Sequence, residues 1–496
     1  MSNKKYLLGL DIGSSSVKTT LLNADSGSVV ASATHPKQEM KINALQSGWA
    51  EQKPEDWWEN IKKGIAEVKQ SAGANADEIA AIGISYQMHG LVLVDKNQQV
   101  LRQSIIWCDS RAVAIGDKAF QELGSTHCLE NYLNSPGNFT ASKLKWVKDN
   151  EPAIYAKIYK AMLPGDYVAM KLSGEISTTI SGLSEGVFWD FKNSQVASKL
   201  LDHYGIDKSL LPEIKPTFSV QSTVSKAAAA ESGLAEGTPI SYRAGDQPNN
   251  AFSLNVLNTG EVAATAGTSG VVYGIIDKAA YDPQSRVNTF VHVNSEKDKA
   301  RYGVLLCING TGILNSWLRN TLSDGQMSYD DMNREASTVP IGSDGLVFMP
   351  FGNGAERILQ NKDSGARLHN LNFNRHSRAH MLRAAQEGIV NSLNYGFTIM
   401  KDMGMQLSTV RAGHANMFLS PLFREAFANT TGAVVELYNT DGAQGAARGA
   451  GVGAGLYSNM SEAFTGLKAI TTVEPTATLT QAYGEAYQQW ISLLES

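Results

Sequence analysis

Residues 6–23 read YLLGLDIGSSSVKTTLLN, and this stretch decides the fold. Two apolar runs flank the turn Gly13–Ser15, a pattern that predicts two β-strands with a tight connection. Residues 261–275 read EVAATAGTSGVVYGI and repeat this layout without repeating the sequence closely. The repeat predicts a duplicated core, in which two similar lobes each open with strand, turn and strand and a cleft lies between them.

Helical patterns alternate with strands along the rest of the chain. Pro54 opens a segment with apolar residues at three- and four-residue steps, among them Trp58, Ile61 and Ile65, which predicts an amphipathic helix. Further strands are expected at 28–34, 80–85 and 103–107, with 91–94 and 98–101 forming a hairpin. Further helices are expected at 227–230, 311–320, 376–402, 418–430, 441–456 and 478–494. This alternation indicates a mixed α/β layer fold.

The predicted boundary between the lobes lies soon after Asp246. We expect an N-terminal lobe at 1–246, a C-terminal lobe at 247–457 and a helical extension at 458–496 packed on the second lobe. The sequence contains no low-complexity linker, so we expect the lobes to be tied closely together.

Charge and cysteine content narrow the class of protein. The chain carries 43 Lys and Arg against 48 Asp and Glu, a net charge of −5, so no broad basic field would attract nucleic acid. The 3 cysteines are too scattered for a disulfide framework or a CxxC metal motif. No apolar run approaches the roughly 18 residues that a membrane span needs. We therefore expect a cytoplasmic protein without a membrane or nucleic-acid partner.

Both turns of the repeat carry groups that bind phosphate. The first offers Gly13 and the hydroxyls of Ser14–Ser16 with Lys18 nearby, and the second offers Gly267–Ser269. Glycine lets the backbone approach an anion, to which amide and hydroxyl groups then donate. Each turn alone is equally well explained as a plain hairpin turn, and neither is a GxxxxGK[ST] P-loop. As a pair they predict a site for a nucleoside triphosphate.

Two carboxylates end predicted strands. Asp246 follows the run Tyr242–Gly245, at the position where α/β sheets bind ligands. A carboxylate there suits a base that accepts the proton of a hydroxyl during phosphoryl transfer. The alternative is that Asp246 only caps the helix that begins near Gln247. Asp11 ends the first strand, where it could order magnesium through water or bond the amides of its own turn.

Polar and aromatic residues follow two other strands. Gln87–Gly90 offers a histidine that can bond a sugar hydroxyl, although a histidine satisfied within its turn is the commoner case. Trp107, Asp109 and Arg111 offer a ring face, an acceptor and a fork donor, as polyol recognition needs, but a structural Asp–Arg pair fits equally well. Gly413–Asn416 follows a strand and suits a shelf for a nucleotide base or a simple loop.

A second group of glycines has a structural explanation. Gly442, Gly445, Gly449 and Gly453 fall at helical spacing inside one predicted helix. A dinucleotide-binding motif would instead place its glycines in a loop between a strand and a helix. The spacing therefore indicates close packing of this helix.

Taken together, these stretches resemble the FGGY carbohydrate kinases over roughly residues 5–457. The Gln-Met-His-Gly run is the most specific piece, because other branches of that family carry different residues there, and it resembles the branch that acts on D-xylulose. The other matching pieces are Leu10–Gly13 with Lys18, Gly48–Gln52, Pro54–Trp58, Trp107 with Asp109 and Arg111, Lys143–Trp146, Ala244–Asp246, Gly267–Ser269, Glu356–Arg357, and Arg383–Ala384 with Glu387–Gly388.

The resemblance implies a two-lobed actin/hexokinase-like (ribonuclease H-like) fold and a transfer of phosphate from ATP, with Mg²⁺, to a ketopentose such as D-xylulose. It makes Asp246 the catalytic proton acceptor, and Asp246 and Asp11 the contacts of magnesium. It assigns sugar binding to Gln87, Met88, His89, Trp107, Asp109, Arg111 and Gln247. It assigns nucleotide binding to Asp11, Gly13, Ser14, Ser15, Ser16, Lys18, Gly267, Thr268, Ser269, Gly413, His414, Ala415 and Asn416.

Other functions of the same fold stay open. A kinase for another ketose or polyol, such as ribulose, differs in the stereocentre that it recognises. A sugar-binding sensor would lack the carboxylate Asp246, which this chain keeps. A chaperone-like ATPase would need a peptide-binding domain, for which the roughly forty residues after 457 are too few. The expected partner is a small sugar, and a homodimer is one expected form.

Overall fold

The computed structural model describes residues 5–360, 362 and 364–494. These residues form two compact units, neither of which is one continuous segment. Unit 1 comprises Met1–Asn255, Phe290–Tyr302 and Thr440–Leu467, and unit 2 comprises Val256–Thr289, Gly303–Asn439 and Lys468–Ser496. No helix among the described residues is long and apolar enough to cross a membrane.

The strands, in chain order, are β1 (Tyr6–Ile12), β2 (Val17–Asn23), β3 (Val29–His35), β4 (Glu51–Gln52), β5 (Ile79–Tyr86), β6 (Val92–Val94), β7 (Ser104–Ile105), β8 (Lys160–Met162), β9 (Ser177–Thr178), β10 (Trp189–Asp190), β11 (Gln195–Val196), β12 (Glu213–Ile214), β13 (Phe218–Thr223), β14 (Pro239–Gly245), β15 (Glu261–Ala266), β16 (Gly270–Ile276), β17 (Asn288–Val291), β18 (Tyr302–Ile308), β19 (Val347–Phe351), β20 (Gly365–His369), β21 (Thr409–Gly413), β22 (Val434–Tyr438) and β23 (Ala469–Val473).

The α-helices are α1 (Pro54–Ala72), α2 (Val113–Leu123), α3 (Ser125–Tyr132), α4 (Thr140–Asn150), α5 (Pro152–Tyr155), α6 (Pro164–Ser173), α7 (Ile180–Glu185), α8 (Ser198–Tyr204), α9 (Lys226–Ser232), α10 (Asp246–Ser253), α11 (Gly312–Ser323), α12 (Tyr329–Ala336), α13 (Arg378–Asp402), α14 (Pro421–Thr431), α15 (Gly442–Gly453) and α16 (Ala477–Leu494). Short 3₁₀ turns lie at Ala76–Glu78, Lys208–Leu210, Ser343–Gly345, Glu356–Leu359, Asn416–Leu419 and Met460–Phe464.

Unit 1 is built on a six-stranded sheet in the order β13-β14-β5-β1-β2-β3. β1 pairs antiparallel with β2 and parallel with β5, which in turn pairs parallel with β14. All eight residues of β5 are buried, as expected for a strand covered on both faces in the middle of an α/β sheet. The carboxyl ends of β1, β5 and β14 therefore meet at one edge, where such sheets bind their ligands.

Helix α15 packs closely on this sheet because glycines remove side chains from the contact. A Cβ on Gly9 of β1 or on Gly83 of β5 would overlap a carbonyl oxygen of the helix. On the helix side, Gly449 packs against the ring of Tyr242 in β14. The glycines at helical spacing are thus packing residues, as their spacing predicted.

Unit 2 is built on a seven-stranded sheet in the order β17-β18-β16-β15-β21-β22-β23. β15 pairs antiparallel with β16 and parallel with β21, and β21 pairs parallel with β22. This scheme repeats that of β1, β2, β5 and β14 in unit 1. The duplicated core predicted from residues 6–23 and 261–275 is confirmed, and with it the actin/hexokinase-like fold class.

The local predictions held for helices better than for short strands. The five helices predicted after residue 310 are α11, α13, α14, α15 and α16, and the alanine run 227–230 lies in α9. The predicted hairpin of 91–94 with 98–101 is present in a short form, since Val94 bridges Val100 antiparallel and the Leu101 amide donates to the Leu93 carbonyl at 2.9 Å. Residues 98–101 form no strand of their own, and β6 also pairs with β8, which the sequence did not predict. A partner strand so far along the chain leaves no trace in the local pattern.

Residues 458–496 contain more than the expected helix. Ala469–Val473 forms the edge strand β23 of the unit 2 sheet, and α16 packs on α13, α14 and β19 of the same unit. The indole of Trp490 anchors this helix by donating to the Phe348 carbonyl at 3.1 Å. Residues 440–467 lie in unit 1, whereas the predicted boundaries put 247–457 in the second lobe. The compact units therefore differ from the predicted lobes, and the predicted lobe boundaries stay a prediction.

Candidate active site

The turn Gly13–Ser16 closes the hairpin of β1 and β2 in unit 1. An internal amide–carbonyl hydrogen bond of 3.0 Å holds its backbone. The side chain of Gln52 donates to the Ser14 carbonyl at 2.5 Å, and the indole N–H of Trp107 donates to the Ser14 hydroxyl at 3.4 Å. The structure thus brings Trp107, one of the expected sugar-binding residues, to the first expected phosphate turn.

The N-terminus of α15 lies beside Asp11. The carboxyl of Asp11 contacts Gly442, the first residue of that helix. Asp441 caps the helix by accepting from the Gln444 amide at 3.0 Å and forms an ion pair of 2.6 Å with Lys18. Burial raises the pKa of Asp11, and the charge of Asp441 raises it further, whereas Lys18 lowers it. Sequence reasoning missed Asp441 because it lies far along the chain from the turn.

Asp246 begins α10, directly after β14. The N-cap of α10 is Gly245, so the Asp246 carboxyl lies in the first turn of the helix, where it also accepts from the Gln247 amide. Burial raises the pKa of Asp246 to about 7, the charge of Asp11 adds to the rise, and hydrogen bonds from Gln247 oppose it. A carboxyl that exchanges its proton near neutral pH is suited to act as a general base.

Asp11 and Asp246 form an acidic pair that suits a divalent cation. The charge of Asp11 disfavours ionisation of Asp246, and a cation beside them would relieve this repulsion. The described residues contain no group of three or more His, Cys, Asp or Glu placed to hold a metal. The two carboxylates fit a magnesium ion that keeps several waters and shares phosphate oxygens, since Mg²⁺ takes few protein ligands at such sites.

His89 follows β5 in a left-handed backbone conformation, with φ of 62°. Residues other than glycine adopt this conformation rarely, and such strain concentrates at functional sites. The imidazole Nδ1 lies 2.8 Å from the Glu185 carbonyl oxygen, and the ring packs edge-to-face on Phe139 with 4.8 Å between centroids. The carbonyl of His89 accepts from Lys143 Nζ at 2.9 Å. Contacts from two helices therefore hold the strained residue in place.

Gln87 and Met88 are both buried at the end of β5. The side chain of Gln87 donates to that of Gln52 at 3.2 Å. Met88 packs against Gly245, where a Cβ would lie only 2.6 Å from Met88 Cγ. Because Gly245 precedes Asp246, the structure brings the expected sugar-binding run next to the expected proton acceptor within unit 1.

Lys143 of α4 links the two expected sugar-binding segments. Its fully buried ammonium donates to the carbonyls of His89 and Ile106, each at 2.9 Å. Ile106 immediately precedes Trp107, so a single side chain ties both segments together. Burial lowers the pKa of Lys143 to about 7, and the charge of Asp109 opposes that change.

Asp109 and Arg111 form a buried ion pair, with 2.6 Å between Oδ2 and Nη2. The same Oδ2 accepts from the Ala50 amide at 2.6 Å. The guanidinium also bonds Glu51 at 2.7 Å and lies 3.7 Å from the ring centroid of Trp49. Both side chains are at most 1% exposed. This geometry favours the structural alternative for the pair, and its contact with a sugar stays a prediction.

A buried cluster of charged residues lies close to Asp246. Arg243 of β14 forms an ion pair with Asp166, with 3.2 Å between Nε and Oδ1. Glu185 and Tyr86 are buried in the same cluster. Burial raises the pKa of Glu185 well above its ordinary value, and the charges of Asp246 and Asp166 raise it further. The sequence signal for this cluster was Arg243, a charged residue inside an otherwise apolar run.

In unit 2 the turn Gly267–Ser269 connects β15 to β16 and lies at the start of α11. Its first carbonyl accepts from the amide of Gly312 at 2.7 Å. The side-chain amide of Asn416 lies against the same turn glycine. His414–Asn416 are exposed immediately after β21. The structure therefore brings together the two nucleotide-binding segments that the sequence predicted in this half of the chain.

Unit 1 also contains a cavity of about 730 Å³. Its walls include Trp189, Phe191, Lys215, His292 and Tyr302. None of the described residues expected to bind sugar or nucleotide lines it, so it is separate from the candidate active site.

Comparison with known proteins identifies relatives along the whole chain. It is 30% identical over 465 residues to a xylulose kinase of Bacillus subtilis, across 92% of this chain and 90% of that protein. The fold is similar to the crystal structure of xylulose kinase from Rhodospirillum rubrum, with a TM-score of 0.89, 25% identity and coverage of 99% and 98%. It is also similar to that of gluconate kinase from Lactobacillus acidophilus, with a TM-score of 0.89, 23% identity and coverage of 99% and 98%.

Two domain matches account for most of the sequence. Residues 6–253 match the N-terminal domain of the FGGY family of carbohydrate kinases, and residues 262–456 match its C-terminal domain. The matches contain both repeats of the core and the carboxylate Asp246. The chain therefore belongs to the FGGY family of carbohydrate kinases.

Proposed function

We propose that this carbohydrate kinase transfers the γ-phosphate of ATP to the terminal hydroxyl of a ketopentose, with D-xylulose as preferred substrate and D-xylulose 5-phosphate as product. The observation that carries the proposal is Asp246, a carboxyl with a pKa of about 7 at the end of β14. Its place next to Asp11 and to the Met88–His89 segment supports the role of proton acceptor.

In the proposed step the sugar oxygen forms a bond to the γ-phosphorus while the bond to the bridging oxygen of ADP breaks. Asp246 accepts the proton that the hydroxyl loses. The transition state of phosphoryl transfer is loose, so most of the acceleration comes from alignment and from stabilisation of charge. Asp11 and Asp246 would hold the magnesium ion, which when bound would supply positive charge to the phosphate oxygens.

The remaining roles follow the predicted sites, each within its own unit. In unit 1 we assign the sugar to Gln87, Met88, His89, Trp107 and Gln247, with the Asp109–Arg111 pair as support, and the phosphates to Gly13–Ser16 with Lys18. In unit 2 we assign phosphate binding to Gly267–Ser269 and the adenosine to Gly413–Asn416. The bonding of Trp107 to Ser14 and the contact of Asn416 with Gly267 support these assignments.

D-xylulose is favoured by the Bacillus subtilis xylulose kinase, which is 30% identical over nearly the whole chain. A kinase for another polyhydroxy substrate is the second candidate. The likeness to a gluconate kinase structure at the same TM-score supports keeping it, since this fold accommodates both substrates. Ribulose and the pentitols are the nearest alternatives in chemistry to D-xylulose.

A coupled assay of ADP release separates these functions. The purified protein is mixed with MgATP and, in turn, D-xylulose, D-ribulose, D-gluconate, xylitol and glycerol, with a no-sugar control. We expect sugar-dependent ADP release that is greatest with D-xylulose. Release without sugar would indicate an ATPase, and no release with any sugar, despite binding, would indicate a sensor.

His89 provides a test of the sugar assignment. If its imidazole bonds a sugar hydroxyl, His89→Ala raises the KM for D-xylulose by about tenfold, which corresponds to one hydrogen bond of about 1.4 kcal/mol, and leaves the KM for ATP within about twofold. Equal changes in both constants would make His89 a structural residue.

We further propose a cytoplasmic location, because the proposed reaction consumes ATP and the cytoplasm supplies it. The expected homodimer stays a prediction. Light scattering of the purified protein at micromolar concentration measures the mass directly, against the 53.4 kDa of one chain.

A further inference from the structure

Glu185 is a buried carboxyl for which the proposed reaction has no direct use. It is the last residue of α7 and only 1% exposed. Tyr86 acts on it as a donor, but among the described residues neither carboxyl oxygen has a partner that meets full hydrogen-bond geometry. A buried polar group without good partners lowers stability by about 1–3 kcal/mol, so its presence at this place calls for a function.

Glu185 contacts both of the segments that are proposed to meet the sugar. Its Oε2 lies 2.5 Å from the position of a Cβ on Gly245, the residue before Asp246. Met88 Cγ lies 2.6 Å from that same position. The main-chain carbonyl of Glu185 lies 2.8 Å from His89 Nδ1. One residue therefore contacts the end of β14 and supports the segment after β5.

Helix α7 holds the main chain of Glu185 firmly. Thr179 caps the helix by accepting from the Gly182 amide at 3.0 Å. Ser181 and Ser184 bond the main chain of Val291 at 2.9 and 3.0 Å. The carbonyl of the residue after Glu185 also accepts a hydrogen bond from α4. The main chain that carries the carboxyl is thus fixed.

We propose that Glu185 is a positioning residue that determines sugar specificity. Its carboxyl lies beside Met88 against Gly245, and its main-chain carbonyl meets His89, so it sets how the Met88–His89 segment packs against the residue before Asp246. Because it is inaccessible, it acts through these neighbours without touching the sugar. The proposal rests on the proposed function, since it treats Met88, His89 and Asp246 as the sugar and proton contacts.

Shortening this side chain is the direct test. In Glu185→Ala the flexible Met88 side chain can move into the vacated space, which changes the spacing that the sugar meets. Glu185→Gln keeps the volume and shape. Thr179→Ala is the matched control, because it weakens the opposite end of α7 and keeps the Glu185 side chain.

Binding of D-xylulose, D-ribulose, D-gluconate, xylitol and glycerol is measured by calorimetry without ATP, and KM values for sugar and ATP by ADP release. We expect Glu185→Ala to weaken D-xylulose binding about tenfold, to change the order of preference within the panel and to leave the KM for ATP within about twofold. Glu185→Gln and Thr179→Ala should stay within about threefold of the wild type in sugar binding.

The inference is overturned if Glu185→Ala binds the panel as the wild type does, if the KM values for sugar and ATP rise together, or if Thr179→Ala reproduces the change. A large loss in Glu185→Gln would also overturn it, because the amide keeps the spacing. These outcomes leave the proposed function intact if the wild type still releases ADP with sugar. A wild-type protein that binds none of the panel would overturn both.

Discussion

Asp246 holds its proton more tightly in the folded chain than in the unfolded chain. Its pKa rises from an ordinary value of 3.8 to about 7, chiefly because of burial and secondly because of the charge of Asp11. Below pH 3.8 the carboxyl is protonated in both states and does not change the free energy of unfolding. As the pH rises from 3.8 to about 7, the folded state loses stability relative to the unfolded state. At the residue scale, the proposed base is therefore expected to destabilise the fold at neutral pH.

This sign gives a prediction for Asp246→Asn, which removes the half-buried charge. The variant should be more stable than the wild type at pH 8 by about 1–2 kcal/mol, a value that allows for solvent screening. At pH 5 the difference in stability between the two proteins should be less than half of its value at pH 8. Urea denaturation at the two pH values measures it. A wild type that is the more stable protein at pH 8 would contradict the assigned environment of Asp246.

Lys143 provides a second prediction at this scale. Lys143→Met removes the two hydrogen bonds that a fully buried side chain donates to the His89 and Ile106 carbonyls, so we expect a loss of about 1–3 kcal/mol in the free energy of unfolding. The KM for sugar should rise more than that for ATP, because the segments before Trp107 and around His89 lose their link.

The control for this variant is Lys145→Met on the same helix. Lys145 forms a partly exposed ion pair of 2.5 Å with Asp149, and such pairs contribute about 0.3–0.5 kcal/mol. Denaturation midpoints and both KM values are compared. If the two variants behave alike, the buried link between the sugar segments is not what Lys143 provides.

At the scale of elements, the packing of α15 on the unit 1 sheet brings Asp441 and Gly442 to Asp11. The sequence predicted this helix and explained its glycines correctly. It did not predict that the helix packs on β1, β5 and β14, because the complementary glycines of the sheet lie hundreds of residues earlier. Contacts between distant segments are set by tertiary packing, and a single sequence carries no local record of them.

Gly83→Ala tests this packing. The added Cβ would overlap the Ala446 carbonyl oxygen, a backbone atom that cannot rotate away, so we expect a loss of at least about 3 kcal/mol or failure to fold. Gly484→Ala is the control. That glycine lies in α16 with nothing within 4 Å of the added Cβ, and alanine should stabilise the helix by about 0.5–1 kcal/mol. Similar stabilities for the two variants would contradict the close contact of α15.

At the scale of the whole molecule, the duplicated core was the best predicted feature. Glycine-rich turns between apolar runs are local signals, and they predicted both the fold and the turns that we propose bind phosphate. The proposed proton acceptor, Asp246, was predicted in the same way, from its place at the end of an apolar run. The roles of Asp109 and Arg111 were left undecided because burial is a global property, and the structure favours a structural role.

Interior charges were the least predictable part of the site. Glu185, Asp166 and Lys143 contact neighbours that the fold brings together from distant segments. An isolated Glu or Lys in a sequence normally indicates an exposed residue, and only the structure shows that these three are buried. Sequence reasoning therefore found the groups that end strands and missed the groups that support them.

The most direct test of the central claim is the turnover of Asp246→Asn with MgATP and D-xylulose, measured together with the affinity for D-xylulose. We predict that turnover falls by roughly 10²–10⁴, the range of general-base effects, while sugar affinity stays within about threefold of the wild type. A folded variant that binds D-xylulose and phosphorylates it at nearly the wild-type rate would contradict the account.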